Sequence, residues 1–254
     1  MDDRQRLRYS RHLLLADFGE SSQERLLAAH ALVVGAGGLG SSALLYLASS
    51  GMGRITIADG DAVDLTNLQR QVVHRVSSVG MNKAVSAAAT LAAINPEVQV
   101  VAVPERLGGE ALRARVREAD IVLDCSDNFA TRHAINAACV EAGRPLVSGA
   151  GIRYDGQVAV FDSRDPEAPC YHCLFPANAP EEEERCATMG VFAPLVGVIG
   201  TMQAMEAIKL VAGVGETLAG RLSMFDARDS RWHEVRLTRD PQCPVCAPAR
   251  AAAA

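Results

Sequence analysis

Two short cysteine pairs, Cys170-Tyr171-His172-Cys173 and Cys243-Pro244-Val245-Cys246, carry the most specific chemistry in the chain. A C-x-x-C pair offers two thiolates to one metal, and two pairs make the four-sulfur set of a structural zinc site. A redox dithiol needs only one pair. A zinc ribbon that reads nucleic acid would bring basic and aromatic residues, which are sparse here. His172 stands between two of the ligands as a competitor, and four sulfurs are the favoured set. The wide spacing makes the metal a clamp between the chain end and the middle of the C-terminal region, with about 10 kcal/mol of apparent folding free energy available from such a site. Of the other cysteines, Cys125 and Cys139 fall at a strand end and in a helix, where packing is the expected role. Cys186 follows four glutamates and Arg185. Exposure there favours a reactive thiol and the carboxylates disfavour its thiolate, so the residue alone leaves both roles open.

The second constellation is Gly35-Ala36-Gly37-Gly38-Leu39-Gly40, a G-x-G-x-x-G run. Between a strand and a helix, these glycines permit a tight turn and let a phosphate approach the unpaired amides of the helix N-terminus. Asp59 ends the next strand, at the spacing where an acid holds a ribose hydroxyl. Together they indicate an adenine nucleotide without saying which one, and a nicotinamide-dependent oxidoreductase is the ordinary reading. The residues after Asp59 depart from it. Residues 64–71, Asp-Leu-Thr-Asn-Leu-Gln-Arg-Gln, bring amides and a guanidinium close behind the acid, and Lys83 opens the following helix. A guanidinium fork and an ammonium suit a triphosphate. Asp127, just past a strand ending at Asp124, adds a carboxylate beyond the strand ends where ligands lie, the natural partner of magnesium beside a polyphosphate. Taken singly, each of these charges would be an ordinary surface charge.

The elements that must position these groups are legible from periodicity. From about residue 30 to 150 strands alternate with helices: strands at 31–34, 54–58, 98–103, 121–124 and 146–148, helices at 39–50, 83–94, 110–118 and 131–142. This predicts a Rossmann-like α/β fold, a mostly parallel sheet with helices on both faces. After Gly151 three further strands, 157–161, 222–225 and 232–237, read as an antiparallel extension, with a proline- and glutamate-rich loop at 176–185 and an apolar helix from near Leu195 between them. With no clear linker, 1–254 is read as one domain: an N-terminal helical arm (1–28), a nucleotide-binding part (29–150), a zinc-clamped part (151–248) and a frayed tail (249–254).

Composition narrows the classes. The 254 residues are 49% hydrophobic and 22% charged, enough for a full core, and the net charge of −5 with dispersed cations argues against a nucleic-acid binder. The start lacks a signal-peptide pattern, and Ala193 to Val214 contains Gln203, Glu206 and Lys209, so the expectation is a cytoplasmic protein with no membrane span. Only Lys83 and Lys209 are lysines among 25 basic side chains.

The ordered set of Arg8-Tyr9-Ser10-Arg11, the glycine loop, Asn67 to Gln71, Lys83, Asp124 to Asn128, both cysteine pairs and Gln203 to Lys209 resembles the ThiF, MoeB and HesA adenylyltransferases of ubiquitin-like sulfur carriers. The resemblance covers nearly the whole chain. It implies ATP-dependent adenylation of a carrier's C-terminal glycine carboxylate, releasing pyrophosphate. By position, Asp59 would bind ribose, Gly38 the nucleotide, and Asn67, Arg70 and Lys83 the phosphates, while Asp127, with Asn128 beside it, would hold magnesium. Arg11 would act in trans within a homodimer. The opening residues, Ala130 to Arg132 with Ile135 to Val140, and the final cysteine pair stand closer to ThiF, which implies a ThiS carrier, with MoaD as the alternative. In ThiF relatives a cysteine matching Cys186 joins the carrier during sulfur delivery. The chain ends after the zinc pair without a sulfurtransferase domain, so sulfur would come from a separate donor protein. A nicotinamide oxidoreductase and a non-catalytic zinc scaffold are the competing classes.

Overall fold

The computed structural model describes residues 1–177 and 189–251. Five parallel strands form the expected half of the sheet: β1 (His30–Val34), β2 (Arg54–Ala58), β3 (Gln99–Val103), β4 (Ile121–Asp124) and β5 (Leu146–Ile152). They are flanked by α4 (Gly38–Ser49), α5 (Lys83–Ile94), α6 (Gly109–Glu118) and α7 (Phe129–Ala142). The N-terminal arm supplies α1 (Asp3–Arg8), α2 (Ser10–Leu13) and α3 (Gly19–Ala28). The antiparallel extension is β6 (Asp155–Phe161), β7 (Arg221–Asp226) and β8 (Arg231–Arg236), and it continues the same sheet in the order β3-β2-β1-β4-β5-β6-β7-β8. Among the described residues, the C-terminal part adds helices α8 (Tyr171–Leu174), α9 (Ala193–Ala212) and α10 (Cys246–Ala251). Residues 249–251, expected to fray, continue the last helix.

The strands alternate as period-2 elements should. On β1, Ala31 and Val33 join one buried cluster with α4, α5 and α9, while Leu32 and Val34 join the other with α6 and α7. Both faces of the sheet are therefore covered, as the continuous apolar strands require. β5 runs four residues past its expected end at Ser148. Gly149 and Gly151 weaken a strand reading, but Gly149 is where the buried Gln203 side chain crosses the sheet, and a Cβ there would sit 2.4 Å from its Oε1.

α9 is long and apolar enough to pass a membrane-span test by composition. Half of it is buried against the body of the fold. Its Gln203 and Glu206 are inside, with Glu206 accepting from the Leu218 amide at 2.7 Å and paired with Lys209. At Gly200 the helix meets α4 so closely that a Cβ would lie 2.1 Å from the Leu39 carbonyl oxygen.

Candidate active site

Strand order reverses between β1 and β4, which opens a crevice beyond their carboxyl ends. The glycine loop enters it from β1. Gly35 has φ +98°, and a Cβ there would lie 2.6 Å from the Cys125 carbonyl at the end of β4, so no side chain is admitted where the two loops touch. Gly37 caps α4 without a side-chain bond, which leaves first-turn amides open to a ligand. A cavity of about 840 Å³ spreads from this point and is lined by Gly37, Gly38, Asp59, Arg70, Lys83 and Asp127 among others.

Each polar group in the wall is held by a local device. Asp59 accepts from the Ala36 amide through one oxygen and from the Asp61 amide through the other, both at 2.8 Å. It thus shapes the loop between β1 and α4 as well as facing the cavity. Asp64 caps a short 3-10 turn, accepting from Thr66 N at 2.8 Å, and starts the segment that carries Arg70. Asn67 does not line the cavity. Its Oδ1 accepts from Arg70 at 3.1 Å, so it orients the guanidinium that does. Asn82 caps α5, accepting from Ala84 N at 2.9 Å and Val85 N at 3.2 Å, and so fixes Lys83 at the helix start. Lys83 is 7% exposed.

Further side chains that sequence reasoning missed line the wall or brace it from behind. Asp61 receives Lys83 Nζ at 3.3 Å and Arg106 at 2.8 Å. The hydrogen bond from Arg106, ahead of the effect of Lys83, holds the Asp61 carboxyl below its ordinary range. His74 is buried, with Nε2 against the Ala36 carbonyl and Nδ1 against Ser86, both at 2.9 Å, and burial pushes its pKa down. A neutral ring donating from Nε2 and accepting at Nδ1 fits both partners and ties the Arg70 segment to the glycine loop. Arg132 lines the cavity and donates to Ser126 O at 2.9 Å, bracing the loop before Asp127. These residues lack a sequence signal because their partners come from different loops.

Asp127 is exposed at the cavity mouth, with Asn128 donating to it at 3.5 Å. Asn128 also caps α7 through Thr131 N at 2.9 Å. Behind them Asp124 is fully buried and bonded to Ser126 and Ser148, and Gln203 donates to its carbonyl at 2.7 Å. Burial drives the Cys125 and Cys139 thiols well above their ordinary range, consistent with packing roles. Arg11 is exposed on α2 and is not among the residues lining this cavity. Cys186 lies outside the described residues.

The four zinc-candidate sulfurs converge as expected, all within 4.8 Å of one another. Sγ separations are 3.8 Å for Cys170–Cys173 and 3.7 Å for both Cys170–Cys243 and Cys173–Cys246. A tetrahedron with metal–sulfur bonds of about 2.3 Å has edges of about 3.8 Å, so the set fits zinc. His172 stays out of this cluster and its ring packs against His133 at 5.5 Å. Asn136 of α7 donates to Cys170 Sγ at 3.6 Å and accepts from Tyr171 N at 2.9 Å, linking the cluster to the helix that begins beside Asp127.

A glycine loop at the switch point of a largely parallel sheet, a cavity wall that mixes carboxylates with arginine and lysine, and a four-sulfur clamp define a Rossmann-like fold with a zinc-type brace. The chain belongs to the ThiF family, whose model matches residues 9–245. It is 46% identical over 246 residues to the sulfur carrier protein ThiS adenylyltransferase of Escherichia coli, covering 97% of each chain. It is also 46% identical over 249 residues to the molybdopterin-synthase adenylyltransferase of the same organism, covering 97% of this chain and 98% of that one. Among solved structures, Escherichia coli MccB with ATP superposes with a TM-score of 0.82 at 26% identity, over 94% of this chain and 74% of that one. Membership in this family displaces the oxidoreductase reading that the glycine fingerprint alone invites.

Proposed function

We propose that this chain is an ATP-dependent adenylyltransferase acting on the C-terminal glycine carboxylate of a ubiquitin-like sulfur carrier, with a ThiS-type carrier as its substrate. The observation that carries the reading is the cavity itself, whose wall gathers an open helix N-terminus, Asp59, Arg70, Lys83, Arg106 and Asp127. In the reaction a carboxylate oxygen of the carrier bonds to the α-phosphorus. The bond from that phosphorus to its bridging oxygen breaks, and pyrophosphate leaves with the electron pair. The residues have little covalent work to do, and catalysis is positioning with neutralisation of charge.

Asp59 holds the ribose, Gly38 and its neighbours meet the phosphates through backbone, and Arg70 and Lys83 draw the pyrophosphate away. Asp127 and Asn128 are the residues that would hold magnesium, which when bound neutralises polyphosphate charge. Arg11, exposed and off its own cavity, is assigned to the partner's site in a homodimer, where such fingers are worth roughly 10³ to 10⁵ in rate. Cys186 belongs to later sulfur delivery, with sulfur arriving from a separate donor protein. The cysteine cluster is a structural zinc clamp, and the protein works in the cytoplasm as one domain.

The second reading is a MoaD-type carrier, favoured by the equal 46% identity to the molybdopterin-synthase enzyme. Purified ThiS-type and MoaD-type carriers offered in competition, with the acyl-adenylate followed by mass spectrometry, test the choice. Preferential loading of the ThiS-type carrier is expected, and preferential loading of the MoaD-type carrier would reverse the assignment.

A further inference from the structure

Gln71 is a buried polar group in the cavity wall that none of the roles assigned to its neighbours requires. It is 4% exposed and lines the cavity one residue after Arg70. Its backbone is spent locally, its amide donating to Asn67 O at 2.9 Å and its carbonyl accepting from His74 N at 3.0 Å. Its side chain is not. Among the described residues, Oε1 is sealed from solvent without a hydrogen-bond partner, and Nε2 makes no hydrogen bond. The Nε2 atom lies 3.6 Å from the point a Cβ on Gly37 would occupy, over the open N-terminus of α4.

Packing does not account for an amide here. A sealed amide oxygen without a partner costs about 1–3 kcal/mol, which leucine would avoid in a similar volume. An unspent donor over an uncapped helix start is a site for an anionic oxygen.

Resting on the adenylating reading, we propose that Gln71 is a positioning residue for the α-phosphate, its Nε2 donating to a non-bridging α-phosphoryl oxygen in ATP and keeping that bond in the adenylate. Its place over Gly37 argues for the α-phosphate. In that reading Asp59, bonded to the adjacent Ala36, holds the ribose, and Lys83, paired with Asp61, holds the pyrophosphate. Gln71 therefore acts on groups that remain after pyrophosphate has left, and Lys83 on groups that depart.

The test is calorimetric titration of the full chain with AMP and with ATP plus magnesium, comparing wild type, Gln71→Leu, Gln71→Glu and Lys83→Ala. Gln71→Leu should weaken both nucleotides by the same factor, about 10- to 100-fold, the scale of a hydrogen bond to a charged group. It should leave the nucleotide-free protein at least as stable as wild type, which a merely structural glutamine would not. Gln71→Glu keeps the shape and should weaken both further; it carries the test if the leucine variant fails to fold. Lys83→Ala should weaken ATP far more than AMP. Unchanged AMP affinity in Gln71→Leu, or a loss confined to ATP, would overturn the proposal while leaving the adenylating reading intact. A wild-type protein that binds neither nucleotide would overturn both.

Discussion

At the scale of single residues, the cavity wall combines charged side chains with the groups that hold them in place. Lys83 is nearly buried at the start of α5, and its ammonium is shared with Asp61. An arginine keeps the charge, but its planar fork needs more room and a different approach. Lys83→Arg should therefore lower kcat for adenylation at least about tenfold, a loss of about 1.4 kcal/mol of transition-state stabilisation; wild-type turnover would refute that role. The other lysine, Lys209, pairs with the buried Glu206 and donates to Glu216 O at 2.7 Å, so it completes the end of α9 instead of serving the site. Cys186→Ser should leave adenylate formation unchanged and stop sulfur delivery. Loss of the adenylate itself would move the thiol into the first step.

At the scale of elements, much of the architecture is readable in advance because apolar residues alternate so plainly on the parallel strands. The glycine loop, Asp59, Arg70, Lys83 and Asp127 line one cavity because each follows or opens an element at the same end of the sheet. Asp61, Arg106, His74 and Arg132 escaped notice because their roles come from contacts between loops, which sequence spacing does not encode. Asn67 was legible as a polar group near the site, while its service to Arg70 depends on the turn that Asp64 caps. The contact of α9 with α4 is equally hidden, since a glycine in a long helix carries no message until its neighbour is known. Gly200→Ala should push Cβ into the Leu39 carbonyl and lower unfolding free energy by at least about 1–3 kcal/mol, the usual cost of overpacking. Denaturant unfolding measures it, and an unchanged midpoint would mean that α9 and α4 do not pack as described.

At the scale of the molecule, the zinc-type clamp and the candidate site meet on α7. Asn128 caps its start beside Asp127, and Asn136, two turns on, bonds Cys170. The chain end is thereby tied to the helix that opens at the site. Two buried histidines add a pH dependence. His74 faces Lys83 and Asp59, His30 lies near Arg54, Asp120 and Glu118, and burial lowers both pKa values. Below about pH 6.5 the unfolded chain takes up these protons before the folded one does. Stability should be flat from about pH 8 to 7 and fall as pH drops from about 6.5 toward 5.5; urea midpoints that rise as pH is lowered over that interval would contradict the neutral assignments. Complementation addresses the proposed dimer: mixed Arg11→Ala and Asp127→Ala chains should recover activity in heterodimers, and no recovery despite subunit exchange would place Arg11 outside a partner's site.

Above all, the proposed cavity chemistry joins a carrier carboxylate to the α-phosphorus of ATP. Exchange of labelled pyrophosphate into ATP reports that step and its reversal directly. Exchange is predicted only when a glycine-tailed carrier with a free C-terminal carboxylate is present, and it should be lost in Asp127→Ala protein that still folds. Exchange without any carrier, or none with either ThiS-type or MoaD-type carriers, would contradict carrier adenylation at this site.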